Sequence, residues 1–121
     1  MPRFVRFRSS LCDADLALPL GVFRAAGQLM DSGQLDPWLL ERTEEICDWF
    51  NEHLTVPRLG PGLTAAVFWF RGERLEMIQR LWELAILLQE SGAAIELIHT
   101  TRPGWVRYQD EYQVAAIPTR R

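Results

Sequence analysis

The order of apolar and polar residues divides the chain into short segments with two different periods. In "RFVRFRS" (3–9) they alternate one for one, the period of a half-buried strand, with Phe4, Arg6 and Arg8 on one face and Val5 and Phe7 on the other. Over "PLGVFRAAGQLMDSG" (19–33) the period lengthens to that of a helix. Val22, Phe23, Ala26, Leu29 and Met30 share a side, and Gly33 is the stop. The plainest helix is "LDPWLLERTEEICDWFNEHL" (35–54). Asp36 caps it, Pro37 suits its first position, and Leu39, Ile46, Phe50 and Leu54 form the apolar stripe. Glu41, Glu44, Glu45, Asp48 and Glu52 make the other side a solvated acidic surface.

Two prolines and two glycines make "TVPRLGPG" (55–62) a loop. "LTAAVFWF" (63–70) is apolar on both alternations, as a strand covered on both faces and central in a sheet would be. In "RGERLEMIQRLWELAILLQESG" (71–92) a broad helical face is predicted from Leu75, Ile78, Leu81, Trp82, Ala85 and Leu88, ending at Gly92. "AAIELIHT" (93–100) reads as a second short buried strand. "WVRYQDEYQVAAI" (105–117) reads as a hairpin turning near Asp110-Glu111, before Pro118 and a frayed tail at 119–121.

The predicted order is β-α-α-β-α-β-β-β in one compact domain, 1–121, of the α/β (mixed α+β) class. The strand–helix–strand unit at 63–100 is expected to be a right-handed parallel crossover. With the closing hairpin antiparallel, a mixed sheet with helices packed on it follows.

Composition agrees with one core. The 121 residues are 48 % apolar, with five tryptophans and six phenylalanines, which suits a single domain and is too little for two. A net charge of −3 gives no bulk attraction to nucleic acid or membrane. The charge is nevertheless polarised. Arg3, Arg6 and Arg8 open the chain without an acid, whereas nine acids face only Arg24 and Arg42 between Asp13 and His53. Arg102, Arg107, Arg120 and Arg121 make the end basic again. All thirteen basic residues are arginine, which reflects either a GC-rich genome or use of the planar guanidinium for phosphate and carboxylate.

Cys12 and Cys47, far apart, read as reduced thiols. The start superficially resembles a signal peptide, but Asp13 and Asp15 precede a weak apolar run that Pro19 and Arg24 interrupt. No stretch approaches the ~18 apolar residues of a membrane helix. Cytoplasmic is the expected location.

Candidate chemistry gathers where the two apolar strands would end. If 63–70 and 93–100 run parallel, Arg71-Gly72 and His99-Thr100-Thr101-Arg102 leave the sheet together, with Arg74 in the first turn of the next helix. Free N–H groups and the helix dipole there favour an anion. If the first strand is parallel too, Arg8, Ser9 and Ser10 join this rim. The expected anion-binding set is thus Arg8, Arg71, Gly72, Arg74, His99, Thr100, Thr101 and Arg102, against the plainer reading that strand ends are ordinarily polar. A single glycine in "FRGERL" excludes a P-loop or dinucleotide fingerprint.

Other constellations are weaker. Cys12, Cys47, His53 and His99 lack the spacing of a structural zinc site. His99 is a general acid or base without a defined partner. Asp13 and Asp15, like Asp110 and Glu111, are carboxylates that a loop and a turn explain. Trp105, Arg107, Tyr108 and Tyr112 are types that stack on bases, and equally types that pack in hairpins. Trp38 and Trp49, about three helical turns apart, project from one side as core edge or as anchors for a partner protein.

"GQLDPWLLERTEEICDWFNEHL" and "TTRPGWVRYQDEYQVAAIP" resemble a family of small bacterial proteins. Its motifs are a "DLDP" helix start, "DWFN" and a closing "RPG-x-[VI]-x-Y-x-DE-x-Q-V-x-A-x-P", spanning Gly21 to Pro118 here. The resemblance implies a single domain, with no assigned activity, catalytic residue or cofactor. Together these readings favour a small cytosolic bacterial binding or assembly domain, with a protein partner or a homo-oligomer and no membrane. The alternatives are a nucleotide or nucleic-acid binder on the arginine edge, and a small-substrate enzyme using His99.

Overall fold

The strand β1 (Phe4–Cys12) organises the sheet by pairing along both of its edges. The computed structural model describes residues 3–12, 19–54 and 66–119 of the chain. On one side β4 (Ile95–Thr100) pairs with β1 from Phe4 to Ser9. On the other, β3 (Val67–Arg71) pairs with Phe4 and Val5, and the short β2 (Pro19–Gly21) with Arg8 and Cys12. β3 in turn pairs with β6 (Gln113–Ile117), and β6 with β5 (Trp105–Gln109). Across the sheet the order is β4-β1-β3-β6-β5, with β2 beside the second half of β1.

The α+β class and the element order match the sequence reading, with β2 added just before the first helix. The pairing differs from the expected mixed sheet, because every recorded pair is antiparallel. β3 and β4 do run in the same direction, but β1 lies between them, so α3 (Leu75–Glu90) closes a split β-α-β unit over β1. A strand's alternation reports its two faces and not its neighbours, so the insertion of β1 was hidden in the pattern.

The three helices among the described residues pack into one core on the same face of the sheet. α1 (Val22–Asp31) and α2 (Pro37–His53) meet β3 through Phe23, which packs edge-to-face on Phe50 at 4.8 Å and on Phe70 at 6.0 Å. Val5 and Phe7 of β1 point into this core, as their alternation with Arg6 requires. α2 forms as its sequence dictates. The Asp36 carboxylate accepts from Trp38 N–H at 3.0 Å and Leu39 N–H at 3.1 Å, and Pro37 opens the helix. Arg42 reaches across to Glu83 at 3.3 Å, tying α2 to α3.

Two expectations are corrected here. α3 turns Leu81, Ala85 and Leu88 inward as expected, with Ile78 partly buried, but the arc is shifted: Met77, Leu84 and Leu87 are buried as well, while Leu75 and Trp82 are exposed. The helix is apolar over more of its circumference than the core can cover, and period alone does not choose the arc. β4, read as buried, is an outer strand with Glu96 and His99 in solvent. The loop at 55–62, the first residues of the 63–70 strand, Asp13, Asp15 and the last two arginines lie outside the described residues.

Candidate functional site: the strand-exit edge and its neighbouring groove

Phe4 pairs with Arg71 on one side and Thr100 on the other, so the ends of β3 and β4 flank the start of β1. Two strand spacings separate them, about 10 Å. Gly72 N–H donates to Arg3 O at 2.8 Å, and a Cβ on Gly72 would stand 3.0 Å from that oxygen, so glycine permits the close approach. The juxtaposition expected of 71–72 and 99–102 is therefore present, with β1 interposed.

The arginines on the β3 side are committed to the hairpin. Arg71 donates through Nε to Asp110 O at 2.9 Å and through a terminal nitrogen to Gln109 Oε1 at 3.1 Å. Its guanidinium also lies 5.8 Å from the centre of the Phe4 ring. Arg74 Nε donates to Glu111 O at 2.8 Å. These two side chains satisfy successive carbonyls of the β5–β6 turn.

That turn is braced from within as well. Asp110 Oδ1 accepts from Tyr112 N–H and Gln113 N–H at 2.9 and 3.0 Å, and Oδ2 accepts the Tyr108 hydroxyl at 2.7 Å. Burial alone would raise the Asp110 pKa, but these bonds and one from the Gln113 side chain outweigh it and hold the carboxyl below its usual range.

On the β4 side, Thr100 Oγ1 accepts from Arg102 N–H at 3.0 Å, and Thr101, Arg102 and His99 are exposed. Arg8 does not join this rim. β1 runs antiparallel to β3 and β4, which carries Arg8 toward the opposite end, where it pairs with Glu96 at 2.7 Å.

Between α2, the start of α3 and the hairpin turn lies an open groove of about 260 Å³ lined by Trp49, His53, Arg74, Leu75, Met77 and Tyr112, with Glu73 and Glu76. His53 stacks on Trp49 at 4.1 Å, and its Nδ1 donates to Trp49 O at 2.7 Å. The Arg80 guanidinium sits 5.1 Å from the same indole. Sequence reading missed this groove, although the four-residue step from Trp49 to His53 was a visible signal that the two rings meet. His99 does not line it.

Trp38 and Trp49, expected on one side of α2, have separate fates. Trp49 is half-buried against α3, while Trp38 is 61 % exposed. Trp105 on β5 is 56 % exposed beneath the Arg107 guanidinium, 4.0 Å from the ring centre. Among the described residues no helix is long and apolar enough to cross a membrane. The chain matches no known family model, no curated protein and no solved structure.

Proposed function

We propose that the chain is a non-catalytic binding or assembly module that recruits a protein. The observation carrying this reading is where its exposed apolar surface lies. Trp105 and Val106 belong to β5, and Trp82 and Ile86 to α3, with Trp82 on Phe7, the β1 partner of Leu97 in β4, so large apolar side chains in solvent stand on or near both outer strands. Aromatic anchors beside a sheet's outer strands are what protein interfaces use. A bacterial cytoplasm is the proposed setting, in keeping with widely spaced cysteines and the unpaired Cys47 thiol.

A second reading, an anion or nucleic-acid binder, is favoured by the flanking of Phe4 by Arg71 and Thr100. It is weakened by the engagement of Arg71 and Arg74 with the turn carbonyls. Thermal unfolding at fixed ionic strength, with sulfate, ATP or a short RNA compared against chloride, separates the two. A flat midpoint is expected for the protein-binding module. A rise that Arg102→Ala abolishes replaces it with the anion site, because a ligand bound only to the folded state raises the midpoint.

A further inference from the structure

β4 and the exposed side of α3 above the sheet form a largely apolar border whose strand acid is paired. β4 pairs with β1 residue for residue from Ile95 to Thr100 with no recorded bulge, and among the described residues no strand pairs with its other edge. Its acid, Glu96, is neutralised by Arg8. On the helix side, Ile95 and Leu97 are only half-buried against the core. Above them, Leu75, Gln79, Trp82, Ile86 and Gln89 follow one another at steps of three and four along α3, so they share a side, which is uncharged until Glu90 at the helix end, four residues after Ile86. Arg80 and Glu83 lie on the flank toward α2 instead. Trp82 meets Phe7 edge-to-face at 5.0 Å, and Phe7 is the β1 partner of Leu97, so Trp82 stands one strand in from β4. Leu75 is 70 %, Ile86 50 % and Trp82 43 % exposed.

The other outer strand is built differently. The β5–β6 register shifts between Val106 and Tyr108, and Arg107 sits at that irregularity with its guanidinium over Trp105. A bulge and a charge are devices that block edge pairing. β4 has neither.

Resting on the protein-binding reading, and naming its partner, we infer that this border is a two-fold interface between two copies of the chain. β4 pairs antiparallel with its own copy, and α3 packs on its counterpart. A two-fold interface brings each patch against itself, so an unpaired charge near the axis meets its own kind. Centring the pairing on Leu97 sets Leu97 against Leu97, Ile95 against His99 and Glu96 against Ile98, with no like charges opposed. The same operation on β5, centred on Arg107, would face one guanidinium with another. The edge is about 20 Å long and the flank from Leu75 to Ile86 about 16 Å.

Sedimentation velocity of the purified full chain over a range of concentrations tests this, with Ile86→Glu and Leu75→Glu as interface variants, Trp105→Ser to probe the other outer strand and Glu44→Gln, exposed on α2, as a distant control. Both interface positions are exposed, and circular dichroism confirms that each variant is folded. The parent is expected to dimerise, and Ile86→Glu to weaken the dimer about 100-fold, about tenfold for each copy of the residue. Glu44→Gln leaves association unchanged. A parent monomeric throughout, or a dimer unaffected by either glutamate, overturns the inference. A dimer dissolved by Trp105→Ser moves self-association to β5, likewise overturning it. A monomeric parent leaves the broader module reading to be judged by the ligand comparison above.

Discussion

Replacing Asp110 by alanine measures how much of the hairpin's order depends on one carboxylate. Its two oxygens accept bonds from Tyr108, Tyr112 and Gln113, and its backbone carbonyl accepts from Arg71. A bond to an ionised acceptor is worth about 1.5–3 kcal/mol, and at a half-exposed turn water recovers part of each, so about 2–3 kcal/mol is expected for the set. At about 2.1 cal/mol/K per residue, a chain of 121 residues loses roughly 4 °C of midpoint per kcal/mol, giving a fall of about 8–12 °C. Asp110→Asn keeps one acceptor oxygen and should lose about half as much. The pH dependence fixes the cause. Because the folded-state pKa is depressed, the charge-dependent stabilisation is fully present above the unfolded value of about 3.9 and is lost as pH falls through the folded value. The gap between the parent and Asp110→Asn should therefore be full at neutral pH and close in acid. Thermal unfolding by circular dichroism across pH reads both quantities. A gap that persists unchanged in acid, or an alanine variant within about 2 °C of the parent at neutral pH, refutes the reasoning.

Two further expectations concern the backbone and the thiol. Gly104 has φ +117° and a Cβ there would lie 2.3 Å from Ile117 O, so Gly104→Ala should cost about 3 kcal/mol or more; Gly92→Ala, at φ +100° in open space, should cost about 1–2 kcal/mol. Equal midpoint losses would show that the clash is relieved. Burial first, then the neighbouring Asp48, raises the Cys47 pKa. In a Cys12→Ser background, the folded chain should react with a disulfide reagent about tenfold more slowly than the unfolded chain near pH 8, and equal rates would contradict this.

The parts of the fold legible in the sequence are those whose signals are local. Asp36-Pro37 marked the start of α2, and the turn at Asp110-Glu111 was readable because its bonds run between near neighbours. The doubly apolar β3 was correctly read as central. The position of β1 was not legible, since its partners lie far along the chain. The misplacement of Arg8 followed directly, because the rim was drawn for a strand running the other way. Arg71 and Arg74 were correctly placed at a strand exit, but their partners stand 39 and 37 residues away, and nothing local announces a guanidinium held by a distant turn. For α3 the period identified a helix, while the choice between Leu75 and Met77 for the interior belonged to its neighbours.

The central place of β1 also sets the order in which the molecule can assemble. Phe4 finds its partners at Arg71 and Thr100, so the strand made early must wait for most of the chain before either of those contacts closes. Loop closure over such separations makes folding slow relative to a helical bundle of the same size. During synthesis, among the described residues, the helices and the short β2 pairing are what the early segments can make locally. A chain arrested before residue 95 would hold β1 with one edge unpaired and the apolar side chains of α3 uncovered beside it. Such an intermediate is open to aggregation through that edge. The last steps of translation therefore complete the sheet's centre as well as its margin.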